Sequence, residues 1–143
     1  DDALGKVLQE QMAREMHRWS PATAFVGLRL SHVFDEADYG PIPTFWDDPA
    51  TRQWNLWSWV DRRDVAQACR LALTAGIGGA EVFTIAAADT IMQQTNRELM
   101  AAYYPQVALR GDIGTHTTLL SIDKARRLLG YDPQHTWRGR IDS

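Results

Sequence analysis

One stretch of the sequence, residues 23–34, constrains the fold more than any other. Its first half is a near-continuous apolar run with β-branched and aromatic residues, which is typical of a strand buried on both faces in a parallel sheet. Its second half turns polar where such a strand would end, and ligands of open α/β sheets bind at the carboxyl ends of the strands. Leu30, Ser31 and His32 are therefore the first candidates for a site, although an ordinary core strand followed by a loop explains the same pattern.

The composition limits the class of protein and its partners. A chain of 143 residues that is 45% hydrophobic and 23% charged is typical of one soluble globular domain. No apolar run approaches the roughly 20 residues of a membrane span, and a net charge of −3 predicts no nucleic-acid partner. The single cysteine excludes an internal disulfide, and the first residues lack signal-peptide features, so the sequence predicts a cytoplasmic protein.

Two long helices are predicted from apolar periodicity. Apolar residues recur at every fourth position near the start of the chain and predict an amphipathic helix over residues 4–18. A second apolar stripe predicts a helix over residues 64–75, with Asp64 as its N-cap. Cys69 belongs to this second stripe, so we expect it to pack in the core.

Shorter elements follow toward the end of the chain. Residues 81–86 are typical of a second buried strand. The capping-box spacing of Thr95 and Glu98 predicts a helix that begins there. A last helix is predicted over residues 121–129, with Ser121 as its cap.

Aromatic residues are concentrated between Phe45 and Trp59, a segment that holds four of the six tryptophans. They predict either an aromatic wall that stacks on a base or sugar ring, or a small core under a long loop. Because buried aromatic side chains dominate protein cores, the core interpretation is favoured.

Few residues carry a chemical signal by themselves. His32 and the acidic residues of 35–38 resemble metal ligands only weakly, so no metal site is predicted. Asp112 and His116 would suit an acid–base pair, but nothing in the sequence fixes their geometry. Arg110 is either a phosphate-binding guanidinium or a surface residue beside a turn, and the surface interpretation is favoured.

Four segments together resemble a known family. They are residues 4–10 (LGKVLQE), 28–34 (LRLSHVF), 59–68 (WVDRRDVAQA) and 121–133 (SIDKARRLLGYDP). In this order they resemble the second half of extended short-chain dehydrogenases/reductases, the NAD-dependent epimerase/dehydratase family. The resemblance covers nearly the whole chain.

The resemblance implies an α/β fold in which residues 1–143 form the C-terminal, substrate-side half of a partial Rossmann-like fold. Strands 23–30 and 81–86 are expected to lie adjacent and parallel, with the helix over 64–75 as their crossover. Short strands at 57–60 and 118–121 are expected to pair with each other in a small substrate-side subdomain.

The resemblance also implies a catalytic role for one lysine. The family places a catalytic Tyr-x-x-x-Lys on a helix, where the tyrosine is the acid–base and the lysine lowers its pKa and bonds the nicotinamide ribose. Lys6 matches that lysine, whereas Asp2 stands at the tyrosine position. The expected catalytic and ribose-binding residue is therefore Lys6.

Further site residues follow from the family's strand-end motif. Leu30 and Ser31 fall at positions whose backbone lies beside the nicotinamide, and His32 replaces a substrate-binding asparagine. An arginine that clasps the nucleotide diphosphate aligns with Trp57, and a second one matches Arg110. The resemblance thus assigns cofactor binding to the first pair and substrate binding to His32 and Arg110.

The implied activity is that of an NAD- or NADP-dependent epimerase, dehydratase or dehydrogenase acting on a sugar-like or nucleotide-sugar substrate. The family's Gly-rich phosphate loop and catalytic tyrosine are not found in these 143 residues, so we expect the chain alone to be inactive. A non-enzymatic binding or assembly module that keeps the fold is the alternative. A homo-oligomer is expected through helix 4–18 or the exposed strand edge.

Overall fold

The computed structural model describes residues 2–141, which form a mixed α/β fold. The helices are α1 (Asp2–Trp19), α2 (Thr44–Asp47), α3 (Arg62–Thr74), α4 (Asn96–Tyr103) and α5 (Asp123–Leu129). The strands are β1 (Phe25–Leu30), β2 (Val33–Phe34), β3 (Val60–Asp61) and β4 (Ala80–Ile85). Two short 3-10 helices, Glu36–Asp38 and Pro49–Asn55, lie between β2 and β3. The two long predicted helices and both long strands are confirmed to within a few residues.

Strands β1 and β4 pair in parallel, as predicted, in a register that runs from Phe25 opposite Ala80 to Leu30 opposite Ile85. Helix α3 lies between them in the chain and contacts β1. The prediction that β1 is buried on both faces is wrong, because its residues are half-buried or exposed and Leu30 is 44% exposed. Within residues 2–141, β1 has a strand neighbour on one edge alone.

The second sheet differs from the prediction. Strand β3 pairs in parallel with β2, not with residues 118–121, which form no strand. A single antiparallel bridge joins Asp89 to Thr117 instead. The Thr118 hydroxyl accepts a hydrogen bond from the Leu120 N–H, and such local bonding by threonine competes with a strand ladder.

The core has two parts. One lies between the β1–β4 sheet, α3 and α5, where Phe83, Ile85 and Tyr131 are fully buried. The other is aromatic and is centred on Trp57 and Trp59, which are also fully buried. The core interpretation of the aromatic segment is therefore confirmed for its main members, while a third tryptophan, at position 54, is 73% exposed.

Two predictions about α3 are wrong: that Asp64 is its N-cap and that Cys69 is buried. Asp61, not Asp64, is the N-cap, since its carboxylate accepts from the Arg63 N–H. Asp64 is buried and instead accepts hydrogen bonds from the backbone N–H groups of Gln134 and His135, which ties the C-terminal segment to α3. Cys69 is exposed, as is Leu73 one turn later, so the prediction that Cys69 packs in the core is wrong.

The caps of the last two helices were partly predicted. The Thr95–Glu98 capping box at the start of α4 is confirmed. Ser121 does not cap α5: the residue before the helix is Ile122, and the Ser121 hydroxyl hydrogen-bonds to Asp123.

A buried carboxylate at the end of β3 joins Tyr39 to the start of α3. Asp61 accepts a 2.5 Å hydrogen bond from the Tyr39 hydroxyl and two 2.8 Å bonds from the Arg63 guanidinium. Burial by itself would raise the pKa of Asp61, but the hydrogen bonds from Arg63 and Tyr39 outweigh it and hold that pKa well below its usual range. The Asp61 carboxylate is therefore charged at neutral pH and stabilises the fold in that form.

This carboxylate predicts a pH dependence of stability. A group with a depressed folded-state pKa stabilises the protein above its unfolded pKa and loses that contribution as the pH falls. We expect Asp61→Asn, which keeps the N-cap, to lower the free energy of unfolding by about 1–3 kcal/mol at pH 7. Urea titrations followed by tryptophan fluorescence should give a difference between wild type and variant that shrinks below about pH 4. If the difference in the free energy of unfolding between the two proteins stays constant as the pH falls, the role given to this carboxylate is contradicted.

Candidate functional site

Three backbone hydrogen bonds fix the chain at the carboxyl end of β1. The Ser31 N–H donates to the Ile85 carbonyl over 2.9 Å, and the His32 carbonyl accepts from Val60 over 2.9 Å. The Ala87 N–H donates to the Trp59 carbonyl over 2.7 Å. The residues that follow β1 and β4 are thereby held against the segment that precedes β3.

Four side chains meet at this point and form what we call the Arg52 cluster: Ser31, His32, Arg52 and Ser58. The Ser31 and Ser58 hydroxyls are 2.7 Å apart, and Arg52 Nη1 lies 2.6 Å from His32 Nδ1. Arg52 Nη2 donates to the Ser58 carbonyl over 3.3 Å. Two residues predicted from the strand end, Ser31 and His32, are therefore brought together with two that were not predicted.

The direction of each hydrogen bond in the cluster follows from its chemistry. A guanidinium only donates, so His32 Nδ1 must accept and the imidazole proton lies on Nε2. Desolvation and the Arg52 charge both lower the pKa of His32, against an opposite effect of Asp38. The Ser58 hydroxyl donates to the Asn55 carbonyl over 2.7 Å, so Ser31 is the donor of the serine pair. The cluster thus presents a neutral imidazole N–H and the free lone pairs of Ser31.

Arg52 is the unusual member of the cluster, because it is a charged residue that is only 5% exposed. Its guanidinium carbon lies 5.6 Å from the Phe34 ring centroid and 5.1 Å from that of Phe45, distances suited to cation–π attraction. No carboxylate among residues 2–141 lies in ion-pair range of it, and its buried Nε has no hydrogen-bond partner there. Burial lowers the pKa of Arg52.

Backbone strain lies beside the cluster. Leu56 and Trp57 both adopt positive φ angles, of 55° and 54°, a conformation that costs an L-residue about 1–2 kcal/mol. Trp57 is held there by a 2.8 Å bond from its indole N–H to the Pro49 carbonyl and by edge contacts with two tyrosine rings. The strained turn places Ser58 against Arg52, and residues in such conformations concentrate at functional sites.

Lys6 lies in a second, neighbouring feature, a cavity of about 660 Å³ between α1 and the sheet. The cavity runs along all of β1 and is lined by Lys6 near one end of α1 and by Leu30 at the end of the strand. Glu10 of α1 accepts two 2.7 Å hydrogen bonds from Arg29 of β1, which fixes the helix over the sheet. The hydrogen bond from Arg29 is also the main reason that the pKa of Glu10 is lowered.

The other predicted site residues lie elsewhere. Arg110 is exposed in the loop after α4 and makes no hydrogen bond or ion pair with the described residues. Trp57 is buried and packs in the aromatic core. The side chain of Asp2, at the position of the family's tyrosine, lies outside the described part of the structure. No group of three or more potential metal ligands is gathered among residues 2–141.

Arg52 was missed because its local sequence resembles an ordinary turn. It lies in a 3-10 helix that starts at Pro49, where a polar residue is normally solvated. The one available signal was the density of aromatic residues around it, since a cation amid aromatic rings is a candidate for burial.

Comparison with known proteins gives no assignment. No protein-family model matches the chain, and no curated protein is significantly similar to it. Among residues 2–141, no helix is both long enough and apolar enough to cross a membrane.

The contribution of Arg52 to the free energy of unfolding can be measured by replacing this buried cation with an apolar side chain of similar length. Arg52→Met leaves the Ser58 carbonyl with its 3.0 Å bond from Asn55 Nδ2, and it leaves His32 Nδ1 open to water. We therefore expect the free energy of unfolding to stay the same or to rise by up to about 2 kcal/mol.

The matched comparison is Arg63→Met, which removes the partner of buried Asp61 and should lower the stability. Urea unfolding curves of both variants are compared with that of the wild type. A loss of more than about 2 kcal/mol for Arg52→Met would show that Arg52 is a structural residue.

Proposed function

We propose that this chain forms the substrate-side part of an NAD- or NADP-dependent epimerase, dehydratase or dehydrogenase with a Rossmann-like fold that acts on a sugar-like or nucleotide-sugar substrate. The observation that carries the proposal is the polar Arg52 cluster at the carboxyl end of β1, next to its parallel neighbour β4. In open α/β sheets this edge is where ligands bind. The four-segment resemblance then supplies the reaction class.

The cofactor role is assigned to Lys6, Leu30 and Ser31. Lys6 and Leu30 line one cavity, and the chain continues from Leu30 directly to Ser31. An exposed apolar side chain suits the face of a nicotinamide ring, and an ammonium suits the hydroxyls of its ribose. When bound, the nicotinamide would supply the hydride acceptor. Within residues 2–141 one edge of β1 is unpaired, which is compatible with further chain pairing there.

The substrate role is assigned to His32, which donates from Nε2, and by the resemblance to Arg110. His32 belongs to the Arg52 cluster, whereas Arg110 shares no contact with it. The proposal therefore gives His32 the leading part in substrate binding.

The test is to express the whole reading frame that contains these 143 residues and to titrate it with NAD and NADP by calorimetry. The full product should bind one of them with a Kd of about 1–100 µM. Lys6→Ala should weaken binding about tenfold, by loss of a charged hydrogen bond. Residues 1–143 alone should bind no tighter than about 1 mM.

Arg97→Ala, which removes an exposed cation of α4, is the control and should bind like the wild type. A full product that binds neither nucleotide would overturn the proposal. Micromolar binding by residues 1–143 alone would contradict the expectation that other residues supply the phosphate site.

A second candidate function, a non-enzymatic assembly module, is favoured by the outer face of α1. Its apolar stripe is exposed, with exposed fractions of 61% for Leu4, 58% for Leu8 and 56% for Met12. Contiguous apolar surface of this kind marks interaction sites. We propose that a second copy of the chain covers this stripe. The second copy makes the contact through α1 or through the edge of β1 that is unpaired within residues 2–141. This assembly is expected whichever of the two functions holds.

Light scattering tests this assembly. The wild type should have the mass of a dimer or larger, and Leu8→Glu should shift it toward monomer by weakening association at least about tenfold. The matched control is Leu73→Glu, the same substitution at a leucine of α3 that is 88% exposed, and it should leave the mass unchanged. A wild-type monomer at high concentration would contradict the assembly.

A further inference from the structure

Among residues 2–141, the buried guanidinium of Arg52 has no counter-charge, and this calls for a ligand. Charged groups that lie inside proteins are normally paired, because removing an ion from water without a partner is strongly unfavourable. Arg52 is 5% exposed and has no carboxylate in ion-pair range among residues 2–141. The two aromatic rings beside it offset part of the cost, but they carry no negative charge.

The cations that contact residues 35–36, just after β2, are already neutralised. Arg62 pairs with Asp35 over 2.9 Å, and Arg140 pairs with Glu36 over 2.6 Å. Arg63 is held by Asp61. A ligand at the cluster therefore meets one net positive charge, that of Arg52, with the negative charge of Asp38 close enough to act on His32. This balance suits a monoanion and disfavours a phosphate dianion.

The hydrogen-bonding groups of the cluster define the rest of the ligand. Arg52 retains N–H donors beyond those given to His32 and Ser58, and a guanidinium binds a carboxylate through a two-pronged contact. His32 offers a further donor at Nε2. Ser31, whose proton is directed at Ser58, offers lone pairs that accept from a hydroxyl group.

We infer that the Arg52 cluster is a carboxylate subsite, and that the substrate of this protein is a sugar acid or a related hydroxy acid. Arg52 and His32 hold the carboxylate, and Ser31 accepts from a neighbouring hydroxyl group. The inference deepens the proposed function, on which it rests for the sugar-like part of the ligand. It names a substrate-binding residue, Arg52, that the four-segment resemblance does not contain.

The test is calorimetric titration of the chain, without nicotinamide cofactor, with glucuronate, glucose and glucose 6-phosphate. Glucuronate should bind with a Kd of about 10 mM or tighter, and glucose at least about tenfold more weakly. Arg52→Met should abolish glucuronate binding, and Arg52→Lys, which keeps the charge but not the fork, should weaken it about tenfold. Arg97→Met, at an exposed cation of α4, should bind like the wild type.

Circular dichroism of each variant establishes whether it is folded. If Arg52→Met does not fold, the folded Arg52→Lys variant still decides the test. Equal binding of glucuronate and glucose, or unchanged binding by the folded Arg52 variants, overturns the inference. If glucose 6-phosphate binds more tightly than glucuronate, the site prefers a phosphate to a carboxylate, and the inference is overturned as well. Because no cofactor is present, each of these results is separate from the NAD titration that tests the proposed function.

Discussion

The parallel pairing of β1 and β4 is the constraint on which the rest of the structure depends. Parallel strands place their carboxyl ends at one edge, and here the pairing continues past the strands, from Ser31 to Ile85 and from Ala87 to Trp59. The same ladder brings in the segment before β3 through the bond from Val60 to His32. Backbone hydrogen bonds thus align chain segments that are far apart in sequence, and side chains of these segments meet there.

The elements that the sequence predicts well are those whose signal is local. The apolar run of β1, the stripe of α3 and the Thr95–Glu98 capping box each contain their whole cause within one segment. Predictions failed where two local solutions compete. Asp61 and Asp64 are both able to cap α3. Asp61 does so and also binds Tyr39, which lies far away in sequence, while Asp64 binds the backbone of residues 134–135.

The residues of the candidate site also differ in whether a local sequence signal predicts them. Ser31 and His32 were predictable, because the polar end of an apolar strand is a local signal with a general functional meaning. Arg52 was not, because nothing in the residues around it shows that a turn residue will be enclosed by Phe34 and Phe45. Burial of a charge is a property of tertiary contacts, so a site that depends on such a charge stays hidden until those contacts are known.

The structure contains two kinds of buried charge, one with an ion-pair partner and one without such a partner among residues 2–141. Asp61 is satisfied by Tyr39 and Arg63, and it stabilises the start of α3. Arg52 has no such partner among residues 2–141, and it lies next to a turn with two positive φ angles in non-glycine residues. Local features that lower stability without a compensating contact are expected at functional sites, since there the ligand completes the interaction. The contrast between these two residues distinguishes a structural network, at Asp61, from the proposed binding site, at Arg52.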